Sequence, residues 1–187
     1  MLYHQTSRII YCKLFDTTSI IKYRFVQGNS NKTNVESFLN EYIYCFLLKT
    51  QYRCSKYIVK VKEYKTGLLT VEFYRKVKSD KRYKLLSNDF KFGRVGVTIL
   101  DIMREIQTKT GHNTYGLVAA TLLEEASDDS NKRFNVYVEI LRRKVDSGKY
   151  KVFGTRENSF IFVVPISRIE EKENIFLDYG KIFEETN

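Results

Sequence analysis

Tyr137, in the stretch SNKRFNVYVEILRRK of residues 130–144, offers a phenol that can act as a general acid if it faces a reacting group. The same stretch has the pattern of an amphipathic helix, with Phe134, Tyr137, Val138 and Leu141 on one apolar stripe. A core ring with a satisfied hydroxyl is therefore the competing reading of Tyr137. Other chemistry is thinly represented. Three cysteines (Cys12, Cys45, Cys54) and two distant histidines (His4, His112) have no metal-ligand spacing, so reduced thiols and no metal are expected. Glu124, Glu125, Asp128 and Asp129 form an acidic loop that reads as a solvated helix start, and Asp89, Asp101 and Glu105 have no partner at a defensible spacing. No nucleophile elbow, phosphate-loop lysine motif or metal-binding helix pair occurs.

The charge is polarised. Residues 1–84 carry 17 Lys and Arg against 6 Asp and Glu, whereas residues 85–187 carry 15 against 16. The densest basic run holds Arg75, Lys76, Lys78, Lys81, Arg82 and Lys84. Such a run attracts phosphates or an acidic partner surface, or simply solvates a hairpin face. From Glu170 onward six acids face two lysines, an acidic tail able to fold back on the basic run or to reach a neighbouring subunit.

The elements that must position these groups follow from periodicity. Residues 9–15 and 20–26 read as strands. Thr33–Glu36 has capping-box spacing, and Val35, Phe38, Leu39, Tyr42, Ile43, Phe46 and Leu47 then predict a helix. Residues 57–63 and 69–74 alternate as a hairpin around Lys65-Thr66-Gly67, with Val59, Val61, Leu69, Val71 and Phe73 inward. Residues 83–87 continue the meander. Val95, Ile99, Ile102, Met103 and Ile106 predict a helix ended by Gly111, and the apolar run 115–121 a strand covered on both faces. After the helix bearing Tyr137, which Asp129 or Ser130 can cap, residues 150–153 and 159–164 form a hairpin stopped by Pro165. The expectation is one α+β domain over 1–187, with a mixed, mostly antiparallel sheet and about three helices on its faces. Within it, 1–56 is an N-terminal section, 57–164 the core and 165–187 the tail. No run of about 18 apolar residues and no basic-then-apolar leader occurs, so a cytoplasmic protein, neither secreted nor membrane-spanning, is expected.

This order resembles the GCN5-related N-acetyltransferase (GNAT) fold over about residues 57–164. In that family a Gly-rich turn at a helix start holds the pyrophosphate of the cofactor, and a later helical tyrosine protonates the thiolate of coenzyme A. The resemblance implies Gly93, Arg94 and Gly96 for cofactor binding and Tyr137 for catalysis, with acetyl-CoA as the cofactor. It departs from the family in the register of the two glycines, in Ser130 and Arg133 standing for Asn and a small residue, and in Leu141-Arg142 standing for Gly-Phe. Lys84-Leu85 with Phe90, and Arg133 with Tyr137, are similar to short GNAT-like proteins of tailed bacteriophages. That likeness implies a virion structural or accessory protein in the particle or host cytoplasm, with a decayed cofactor site. The resulting expectation is a non-catalytic binding or assembly module with no cofactor and a protein partner or homo-oligomer. The alternatives are an acyl-CoA-dependent N-acetyltransferase and a nucleic-acid-binding protein using residues 75–84.

Overall fold

In the computed structural model, residues 19–30, 38–78, 92–119, 132–155 and 159–184 are described. Seven strands form one sheet: β1 (Tyr23–Ser30), β2 (Phe38–Lys49), β3 (Cys54–Tyr64), β4 (Leu68–Arg75), β5 (Thr114–Val118), β6 (Tyr150–Thr155) and β7 (Phe160–Pro165). Their order is β1-β2-β3-β4-β5-β7-β6, antiparallel at every pairing except β4 with β5. Among the described residues three α-helices accompany them: α1 (Phe92–Thr110), α2 (Lys132–Lys144) and α3 (Lys172–Glu184). The fold is α+β, as the periodicity implies.

Of the helix predicted over residues 35–47, the described part, from Phe38 onward, is a strand instead. β2 pairs with β3 along its length, from Phe38 opposite Tyr64 to Lys49 opposite Cys54. Tyr44, Phe46 and Leu48, at alternate positions, are turned to the core, while Cys45 is buried on the other face. The three-and-four spacing of apolar residues coincides with a run, YIYCFLL, that is apolar at every position and so carries no period of its own. Aromatic and β-branched side chains in that run suit a pleated surface better than a helix, where they lose rotamer freedom. β1 and β2 thus extend the meander ahead of the predicted hairpin. That hairpin is present, with Val59, Val61, Leu69 and Val71 buried in register. The strands expected over 9–15 and 83–87 and the capping box at Thr33 lie outside the described residues.

α1 buries Val95, Ile99, Ile102, Met103 and Ile106, the positions its spacing predicts. Gly111 ends it at φ +75°, donating its N–H to the Gln107 carbonyl at 2.9 Å, a left-handed cap that side chains with a Cβ adopt poorly. α2 buries Phe134, Tyr137, Ile140 and Leu141, and its last turn carries Arg142, Arg143 and Lys144, the sign favoured by the helix dipole. Both helices belong to the larger core with one face of the sheet. Across β5 and β7, a second cluster of Tyr64, Leu68, Phe162, Val164 and Ile175 covers the opposite face. Ile175 comes from α3, so the acidic C-terminal segment is built into the fold through Ile175 and Phe176, whose ring lies 5.2 Å from that of Phe162. Among the described residues no helix is long and apolar enough to cross a membrane.

Candidate functional site

The parallel pairing of β4 and β5 runs only from Leu68 opposite Thr114 to Val71 opposite Leu117. Beyond it, β4 stays with β3 as far as Arg75, and β5 goes with β7 to Val118 opposite Phe160. The two strands therefore form a fork. Phe73 of β4 stands at it, and its ring lies 5.3 Å from that of Tyr137 on α2. Gly96 of α1 faces the same place: a Cβ there would sit 2.9 Å from the Ile140 Cδ1 atom, so the glycine lets α1 and α2 approach closely. Gly96 and Tyr137, far apart in sequence, are brought to one crevice, lined also by Ile99, Met103, Leu117 and Ile140. Its volume is about 30 Å³, the share of one water molecule.

The other two implied cofactor residues stand differently. α1 begins at Phe92, so Gly93 and Arg94 occupy its first turn, and the N–H of Gly96 falls where the helical ladder begins. Arg94 donates Nε to the Ser19 carbonyl at 3.5 Å, on the side of the helix where Thr98 accepts the Ile21 N–H at 2.9 Å. That side meets β1 and not the fork.

Burial pushes the Tyr137 phenol up to about 12, with the nearby Arg133 guanidinium pulling weakly the other way. A phenol raised in the folded state contributes stability that is full below the ordinary value near 10 and is lost as pH rises through about 12. In an absorbance titration of the native protein, Tyr137→Phe is expected to remove an ionisation near pH 12. Loss of signal near pH 10 instead would place the ring in solvent.

The described part of the basic run, Arg75 to Lys78, lies where four strands end together; Lys81, Arg82 and Lys84 lie outside the described residues. The Lys76 N–H donates to the Lys56 carbonyl at 2.7 Å, which sets the run beside the start of β3. At the same end are Lys22 and Arg24 of the β1 entry, Lys49 at the end of β2, and Arg53 in the turn. Alternation about the buried Phe46 and Tyr57 turns Arg24, Leu47, Lys49 and Lys56 to the face opposite α1 and α2. There a groove of about 580 Å³ is bordered by Lys22, Arg24, Lys49 and Lys56, with Cys45 and Leu47 among its apolar walls. Arg24 donates Nε to the Cys45 sulfur at 3.3 Å. Among the described residues, none of Lys22, Lys49, Lys56, Lys76 and Lys78 has a carboxylate within ion-pair reach. Sequence reasoning confined to the run 75–84 missed this convergence. The available signal was the span 42–62, which holds five cations and no acid.

The turn of that hairpin is ordered by one hydroxyl. Thr50 Oγ1 accepts the N–H groups of Tyr52 and Arg53 and donates to the Arg53 carbonyl at 3.1 Å, leaving the Tyr52 ring 87% exposed at the tip. Elsewhere the polar clusters tie elements together. Glu105 accepts from Tyr44 at 3.0 Å and from Lys109, and Asp101 accepts from the Tyr23 hydroxyl at 3.1 Å, which fastens β1 and β2 to α1. Glu63, 7% exposed, accepts from Asn40 at 2.8 Å and Tyr42 at 2.9 Å and meets His112 Nε2 at 3.1 Å. The acidic loop at 124–129 and Asp89 lie outside the described residues. Cys45 is buried and Cys54 exposed. Among the described residues no group of three or more His, Cys, Asp or Glu could hold a metal ion.

No family model, curated protein or solved structure matches this chain.

Proposed function

We propose that this chain is a non-catalytic binding or assembly module on a sheet of GNAT-like order, in keeping with the phage-borne proteins it resembles. The strand order and the single parallel fork support the likeness. The observation that carries the non-catalytic reading is the fork's crevice, which among the described residues holds about 30 Å³ between Phe73, Ile140 and other apolar side chains. Sites for small ligands and cofactors occupy roughly 300–1,000 Å³. Tyr137 argues the same way, since a general acid works best with a pKa near the operating pH and this phenol is held near 12 by burial.

The expected result in calorimetry with acetyl-CoA is no heat of binding at millimolar ligand. Saturable binding, together with amine acetylation that Tyr137→Phe abolishes, would establish the second reading, an acyl-CoA-dependent N-acetyltransferase. That reading draws on one observation, the placement of Gly96 and Tyr137 at one crevice.

A further inference from the structure

We propose that the basic end of the sheet binds single-stranded nucleic acid across the groove beside β1, β2 and β3. The proposal rests on the surface and not on the state of the fork, so acetyl-CoA binding leaves it standing and its own failure leaves the fork untouched. Two properties of the site are needed together. The first is charge: Lys22, Arg24, Lys49, Lys56 and Lys76 converge from all four strands of the meander end. Neighbouring strands are about 4.8 Å apart, so the row from Lys22 on the β1 side to Lys76 beside β3 spans roughly 14 Å, enough to follow several consecutive phosphates. The second is a surface for bases. The groove has apolar walls, Leu47 on it is 50% exposed, and Tyr52 presents an open ring at the tip of the hairpin.

An acidic peptide would answer the charge but would leave Leu47 and Tyr52 without a role. Bases stack on aromatic and apolar side chains while their phosphates track the cations, which is how single strands are held on sheet surfaces. A duplex hides its bases in grooves that are read by an inserted helix or ribbon. Here the cations lie across a broad sheet face, with α1 and α2 behind it.

The test is fluorescence anisotropy with a labelled single strand of about 12 nucleotides, a length within the range held by sheet-based binders. Five phosphate contacts on a single strand give a salt slope of about −3.5, so affinity is expected to fall roughly 100-fold between about 50 and 200 mM salt. Lys49→Glu, at an exposed position, and Lys56→Glu, at a half-buried one, weaken binding and flatten that slope. Tyr52→Ala weakens it about 5- to 100-fold, the effect of losing one stacked base, with the salt slope unchanged. Three outcomes overturn the proposal. One is undetectable or salt-insensitive binding. Another is a duplex of equal length bound more tightly. The third is competition by polyglutamate as effective as by the oligonucleotide with Tyr52→Ala silent, which would mark a docking face for an acidic protein.

Discussion

Gly154→Ala is expected to destabilise the protein by about 3 kcal/mol or more. Gly154 of β6 pairs with Ile161 of β7, and a Cβ at this position would fall on the Phe160 carbonyl oxygen and 3.1 Å from the Ile161 Cα. Both obstacles are main-chain atoms, so no rotamer relieves the overlap and one strand must move. β7 cannot move cheaply. It lies between β5 and β6, and Ile161, Phe162, Val163 and Val164 are all buried, feeding both core clusters. Gly180→Ala in α3 is the control: nothing lies within 4 Å of a Cβ there, and alanine in a helix is favoured over glycine by up to about 1 kcal/mol. Urea unfolding of the two variants reads the contrast, and a Gly154→Ala midpoint equal to that of the parent would contradict the close approach of β6 and β7.

Glu63→Ala is expected to cost about 3 kcal/mol, for a different reason. One carboxylate oxygen accepts from both Asn40 and Tyr42 and the other faces His112, so truncation strands three polar groups where β2, β3 and the residues after α1 meet. Glu63→Gln keeps a carbonyl oxygen for Asn40 and Tyr42 and is expected to lose only about 1 kcal/mol. The phenol of Tyr42 supplies an independent readout. Burial first, and the bond to Glu63 second, push it up to about 12. In Glu63→Gln it descends toward 10 and stops short, because the burial persists. In the parent, the stability tied to Tyr42 is full below pH 10 and is lost as pH rises toward 12. An unchanged absorbance titration in Glu63→Gln would show that the hydroxyl bonds elsewhere.

The elements with an unambiguous period were legible in the sequence. Val95 to Ile106 repeats at helical spacing and Gly111 closes it; Val59, Val61, Leu69 and Val71 alternate; residues 115–118 are apolar throughout and form a central strand. β2 was not legible by period, because residues 42–48 are apolar at every position and fit a helix or a strand equally well. Its partners decided it: eleven residues of β3 lie in register with it, a pairing that only tertiary structure reveals. The site divides in the same way. Tyr137 on an apolar helix stripe already suggested a core ring, and its place against Phe73 follows from the stripe. Gly93 to Gly96, between a basic run and a helix, suggested a turn, but the helix starts early enough to include them, and Gly96 meets Ile140. The basic end was half visible. Residues 75–78 stand out as a charge run, whereas Lys22, Lys49 and Lys56 are spread through the chain and are gathered only by strand register.

The fork of β4 and β5 has a consequence for how the chain matures during synthesis. β2, β3 and β4 are joined by tight turns and can zip together while the nascent polypeptide is still emerging. The parallel partner of β4 is translated only after α1, and the Val59, Val61 and Val71 strip waits for α1 and α2, which complete its core. In that interval the unfinished protein shows a greasy flank to its surroundings, and the pace of the ribosome through residues 76–144 sets how long that exposure lasts.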